Sequence, residues 1–149
     1  MTIKVERVGH VVLNVRDLER AVAFYREVLG LKEVGRYRGI MAFFSATGEN
    51  HHDLAVLEVG PEARAPEPNA VGLCHVALKI GKSLDVLRAA KAHLEAAGVS
   101  ILRIENHRVS QSIYLADPDG NELELYVDDD PKIWLDNPAA VASVQPLEL

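Results

Sequence analysis

Cysteine is nearly absent from this 149-residue chain, and the single one, Cys74, leaves no internal disulfide to be formed. The fold must therefore rest on a buried core. A chain of this length buries roughly 68–70% of its unfolded surface, enough for one ordinary domain without a staple. Long apolar runs are absent too: charged residues interrupt every hydrophobic stretch before the ~18 residues that a membrane span requires. Nor does a basic segment followed by an apolar one open the sequence, as a secretory signal would. The expectation is a cytoplasmic protein with no membrane partner. A basic excess is also missing, since 16 Lys and Arg stand against 22 Asp and Glu, for a net charge of −6. With the basic residues spread along the chain, a phosphate backbone is excluded as a partner. Aromatic residues are scarce, with three Phe, four Tyr and one Trp. That argues against a drug-sequestering pocket lined with rings.

What the sequence does contain is an internal repeat. VGHVVLNV (Val8 to Val15) and LCHVALKI (Leu73 to Ile80) share a histidine at the third place, a valine after it and an apolar run, and both read as short buried strands. A helix follows each. Asp17 caps a segment with Leu18, Ala21, Val22, Tyr25, Val28 and Leu29 at helical spacing, and Ser83 caps one with Leu84, Leu87, Ala90, Leu94 and Ala97. The helices stop at Gly30 and Gly98. LKEV, GIMAFFSA and HDLAVLEV follow in the first half, VSILRI, SIYLA and NELELYV in the second, so both halves read β-α-β-β-β.

The predicted fold class is α+β: two tandem βαβββ modules forming an open, cup-shaped mixed sheet around a metal site. Module one spans 5–60 and module two 72–128, within a single domain at 1–130. The linker at 61–71 lies inside GPEARAPEPNAVG, whose three prolines and two glycines continue no strand and start no long helix. Residues 129–149 are too polar and proline-broken for a third unit, and are expected to form a tail that packs through Trp134 and Leu135.

A histidine in a buried strand is by itself more often a hydrogen-bonded core residue than a ligand. Two of them, His10 and His75, at one position of two repeated units are a different matter, because a pseudo-twofold packing brings both imidazoles to one cavity. A single carboxylate would complete a metal site. Glu124 is the candidate, since the turn Asp117-Pro118-Asp119-Gly120-Asn121 leads into a strand on which Glu122 and Glu124 share one face. An inward ionised glutamate needs a cation or donors to offset a desolvation cost of several kcal/mol. Two histidines and one carboxylate form the facial triad suited to Fe(II), with coordination positions left open; zinc or manganese also fits.

The run from His107 through Ile113-Tyr114 and Asp117-Pro118-Asp119-Gly120 to Glu124 resembles the signature of the extradiol dioxygenases, within the vicinal oxygen chelate superfamily that also holds glyoxalases and bleomycin resistance proteins. The turn alone is shared across that superfamily, and His107 and Tyr114 are the discriminating part. Glu105 departs from the signature, where a small, apolar or amide residue is usual. His51-His52-Asp53-Leu54-Ala55 is similar to the extradiol segment that carries an acid–base histidine. A four-residue step from Gly48 to His52, matching that from Gly120 to Glu124, gives His52 the same place by internal symmetry.

The resemblance covers about residues 5 to 130. It implies an enzyme of the one-domain extradiol type with His10, His75 and Glu124 holding the metal and His52, His107 and Tyr114 as catalytic groups. Fe(II) is the implied cofactor, with Mn(II), Zn(II) or Ni(II) as alternatives. The implied partners are a catechol-like diol and O₂, and a homo-oligomer is expected. Two rivals stand beside it. A glyoxalase- or epimerase-type lyase or isomerase of the same superfamily would need a carboxylate in the first unit, for which Glu58 is the nearest on the His52 face. A metal-free drug-binding resistance protein is the other.

Overall fold

The computed structural model describes residues 2–149, which divide into two compact units, one running to Ala65 and the other from Pro66 onward. Each unit repeats the same plan, and the class is α+β as the periodicities predict.

In the first unit β1 (Val11–Val15) is followed by α1 (Leu18–Ala23), which continues through Phe24–Val28 as a turn of wider π winding. The Asp17 side chain accepts from the Arg20 amide at 2.8 Å and so starts the helix. Gly30, at φ +72°, turns the chain out of it, a conformation that side chains other than glycine rarely adopt. The strands β2 (Lys32–Tyr37), β3 (Met41–Ser45) and β4 (Leu54–Glu58) complete a sheet of order β1-β4-β3-β2. Here β1 and β4 run parallel and the other pairs antiparallel. Leu18, Ala21, Val22 and Tyr25 from the helical segment and Phe44, Leu54 and Val56 from the sheet are buried together. Burial of each large side chain is worth about 1.5–3 kcal/mol.

The second unit has β5 (Val76–Gly81), α2 (Leu84–Ala96), β6 (Ile101–Asn106), β7 (Ser110–Ala116) and β8 (Glu122–Asp128). Ser83 caps α2 by accepting from the Val86 amide, and Gly98 leaves it at φ +72°. The apolar stripe of α2 buries Leu87 and Leu94. The sheet order is β5-β8-β7-β6 with a short C-terminal strand, β9 (Gln145–Pro146), outside β6, and β5 and β8 run parallel. No helix among the described residues is long and apolar enough to cross a membrane.

Two expectations need correction. Both repeat strands begin one residue after their histidine, so that His10 and His75 stand at strand mouths rather than inside the ladders. Residues 2–10 carry no assigned strand pairing and are exposed. The tail, moreover, does not pack through Trp134 and Leu135, which are 45% and 60% exposed. It forms α3 (Lys132–Asp136), a 3₁₀ turn (Pro138–Ala142) that buries Ala140, and a short β9 (Gln145–Pro146) on the edge of β6. Backbone pairing with a free strand edge, not apolar bulk, holds it there.

Candidate functional site

Each unit presents a cluster of chemically capable side chains at the mouth of its first strand. In the first unit the turn between β3 and β4 is tied to the segment before β1, because the Asn50 amide nitrogen donates to the carbonyls of Gly9 at 2.8 Å and His52 at 2.7 Å. This sets the His10 and His52 rings 4.2 Å apart, centre to centre, and brings His51 beside them. The Nδ1 atoms of His51 and His52 are 2.5 Å apart, so one must carry a proton that the other accepts. Ligand atoms of His10, His51 and His52 all lie within 4.8 Å of one another, a set able to hold a metal ion. Burial, and then the neighbouring His10 and His51, hold the His52 imidazole below its ordinary pKa, because each opposes a positive charge there.

Asp53 closes the same turn, accepting from the Ala46 amide at 2.7 Å and the Ser45 hydroxyl at 3.3 Å. The Ala46 N–H is the main reason that its carboxyl lies below the usual 3.8. A carboxyl depressed in the fold gives stability that is complete above the unfolded value and lost as pH falls through the folded one. Asp53→Asn is therefore expected to cost about 1 kcal/mol at neutral pH. The difference from wild type should shrink at acid pH, as the carboxyl takes up its proton and becomes neutral like the amide. Urea denaturation at the two pH values measures it, and an equal deficit at both would remove the charge from the account.

In the second unit Glu124 on β8 is 8% exposed. Its Oε1 accepts from the Ser112 hydroxyl on β7 at 2.5 Å, and its Oε2 lies 3.1 Å from Nε2 of His75. The other ring nitrogen of His75 is buried with no hydrogen-bond partner. Tyr114, opposite Glu124 in the β7–β8 register, sets its hydroxyl 2.9 Å from Nε2 of His107. Burial above all, then the Glu124 and Glu105 carboxylates, push the Tyr114 phenol up to about 12, so it keeps its proton throughout the neutral range. The Arg103 guanidinium lies 3.7 Å over the Tyr114 ring and bonds Glu122 at 2.7 Å. Of the two strand glutamates that share a face, Glu122 thus pairs with an arginine and Glu124 with a histidine and a serine.

The structure brings together His10 with His52, and His75 with Glu124, Tyr114 and His107. His51, Ser112 and Arg103 were not singled out from the sequence. Strand alternation from Tyr114 places Ser112 on the face of Glu124, whereas nothing in the pattern marks His51 off from a solvated loop residue. Two clefts in the second unit, of about 520 and 640 Å³, take in none of the site candidates.

The register corrects the symmetry assigned to His52. Val11 pairs with Leu54 and Val12 with Ala55, as Val76 pairs with Leu123 and Ala77 with Glu124. Ala55, not His52, is the counterpart of Glu124, and Phe43 is the counterpart of Tyr114. The step from Gly48 misleads because the turn in the first unit is longer. Glu58, meanwhile, accepts from the Leu18 amide at 2.7 Å and serves the start of α1.

The metal can be tested against these donors. Two ligands about 2.1 Å from an ion and at right angles to one another are about 3 Å apart, close to the separation of His75 and Glu124. The orphaned nitrogen of His75 also marks a ring not yet satisfied by protein partners alone. An imidazole beside a carboxylate suits a first-row divalent ion. The residues fit.

Paired βαβββ units, each with a histidine at the mouth of its first strand, define the vicinal oxygen chelate fold. The chain belongs to the glyoxalase/bleomycin resistance protein/dioxygenase superfamily, which matches residues 7–125. It is 34% identical over 131 residues to catechol-2,3-dioxygenase of Bacillus subtilis strain 168, covering 85% of this chain and 43% of that protein. The chain thus spans less than half the length of that relative. It is 32% identical to glutathione transferase FosA of Serratia marcescens, covering 82% of this chain and 81% of that one. A solved glyoxalase/bleomycin resistance protein/dioxygenase domain from Frankia sp. EAN1pec shares the fold, with a TM-score of 0.69 at 24% identity over 84% of this chain and 99% of that one.

Proposed function

We propose that the protein is an Fe(II)-dependent extradiol dioxygenase that opens the ring of a catechol-like diol, with His10, His75 and Glu124 as its metal ligands. The observation that carries this reading is Ala55. With a side chain that donates nothing at the counterpart of Glu124, the ligand set stops at three and leaves positions for two substrate oxygens and O₂. A lyase of the same superfamily needs a further carboxylate there, and Glu58 is committed to α1. The similarity to a catechol-2,3-dioxygenase agrees with this choice.

When bound, the ion supplies Lewis acidity towards the two adjacent oxygens and a position for O₂. The residues of the chain handle protons. His52, with its pKa held down, is neutral at neutral pH, and with Nδ1 engaged by His51 its Nε2 is the atom that takes a proton from the second hydroxyl of the diol. Tyr114 keeps its proton, and with its hydrogen directed to His107 its hydroxyl oxygen is left to accept from the diol. The balance is one diol plus one O₂ giving a product in which a ring C–C bond is broken and both oxygen atoms are retained. The diol is the reductant, so no other is required.

Fe(II)-loaded protein mixed anaerobically with a panel of catechols and then given air tests the reading. Oxygen uptake matched to substrate loss, with a yellow product, is the expected result. Isomerisation of a hemithioacetal without O₂, consumption of glutathione, or tight drug binding by metal-free protein would each replace it with another activity.

A further inference from the structure

The tail closes onto the site. Its 3₁₀ turn is anchored by buried Ala140, and its last strand lies on β6 with Pro146 opposite Glu105 and Gln145 opposite Asn106. The Leu147 amide donates to the Ile104 carbonyl at 3.1 Å. Held at both ends, the strap sets the backbone carbonyl of Ser143 3.0 Å from Nδ1 of His107. A carbonyl only accepts, so Nδ1 carries a hydrogen, and in a neutral imidazole the other nitrogen is then a bare acceptor. That nitrogen, Nε2, faces the Tyr114 hydroxyl at 2.9 Å.

We propose that the C-terminal strap, residues 137–147, is a positioning element that fixes His107 as the Nδ1–H tautomer, so that the single hydroxyl hydrogen of Tyr114 is given to His107. The alternative acceptor is Glu124, which lies within reach of the same hydroxyl. Spending that hydrogen on His107 leaves the free oxygen of Glu124 open to a cation, and this consequence rests on Glu124 as a metal ligand. The strap works against a neighbour. Glu105, the residue that departs from the extradiol signature, sits 3.6 Å from Nε2 of His107 and 3.4 Å from Arg103, and its carboxylate favours a proton on Nε2. With the strap loosened the ring is free to carry its proton there, donate to Tyr114 and turn the hydroxyl towards Glu124.

Ring ¹⁵N–¹H correlation spectra of full-length, metal-free protein at about pH 8, above the ordinary imidazole pKa, read the tautomer directly. The His107 signal is assigned by its loss in His107→Gln. The wild type is expected to show a protonated Nδ1 and a bare Nε2. Leu147→Pro, which removes the bond to Ile104, should move the proton towards Nε2 and weaken Mn(II) binding roughly 10–100-fold, the usual effect of losing a group that orients a ligand. Adding Tyr114→Phe to Leu147→Pro should restore the Mn(II) affinity, since no hydroxyl remains to be turned. A wild-type His107 protonated on Nε2 or on both nitrogens overturns the proposal. So does a Leu147→Pro spectrum identical to wild type, and the wild-type spectrum decides by itself should that variant not fold. Wild-type protein that takes up no Mn(II) yet shows the Nδ1–H form would sink the metal reading and leave the strap's role standing.

Discussion

His52→Gln is expected to retain the proposed ion and the fold, and to slow the proposed ring cleavage by about 10²–10⁴-fold, the usual worth of a positioned proton-transfer group. The reason is local. His52 is held beside His10 by the Asn50 bonds to Gly9 and His52, and a glutamine of similar size can keep the turn but cannot take up a proton. Its imidazole is also the one whose charged form the surroundings disfavour, through burial first and the His10 and His51 rings second. A group that is neutral before the reaction and gains a proton during it has a visible pH signature: the acid limb of the rate profile should follow His52 and vanish in the variant. Steady-state kinetics across pH, with iron content measured on the same samples, checks both halves. Turnover equal to wild type would leave His52 as a surface histidine.

His75→Ala, Glu124→Ala and His10→Ala are each expected to lose stoichiometric divalent metal, if the three are the proposed ligands. The expected loss is largest for Glu124, because the change removes the only anionic donor of the three and strands the Ser112 hydroxyl and the His75 ring that it joins. An unsatisfied buried group costs about 1–3 kcal/mol, so Glu124→Ala should also lower the stability of the second unit. Glu124→Gln separates the two effects, since an amide oxygen can still accept from Ser112 while binding a cation poorly. Elemental analysis after one purification protocol reads the metal, and urea denaturation reads the fold. Wild-type metal content in all three alanine variants would dispose of the proposed triad.

The architecture was legible in the sequence because the repeat is written in residues with strong local preferences: Asp17 and Ser83 as caps, Gly30 and Gly98 as exits, and apolar alternation between them. His107 and Tyr114 were legible only through the resemblance to the extradiol signature; His107 sits in the short turn after β6, in which Arg108 takes a positive φ and Asn106 accepts from its amide at 2.8 Å, and Tyr114 lies within β7. Register was harder. The place of His52 hung on counting residues through the turn between Ser45 and Leu54, and only the pairing of Val12 with Ala55 reveals the donor-free counterpart of Glu124. The seat of the tail is not legible, because Trp134 is the conspicuous residue there, whereas the group that reaches His107 is the backbone carbonyl of Ser143, which no side-chain pattern announces. Chemistry carried by main-chain atoms follows from pairing, and pairing at a sheet edge depends on which edge is left open.

In the proposed reaction both atoms of O₂ end in the cleaved product. Mass spectrometry of the product formed from an accepted catechol under ¹⁸O₂ tests it most directly, with quenching before the carboxyl oxygens can exchange with water. Two ¹⁸O atoms per product molecule are predicted, because the diol and O₂ are the only reactants the ligand set of His10, His75 and Glu124 is proposed to hold. A product carrying no ¹⁸O, formed equally well without oxygen, would contradict the account.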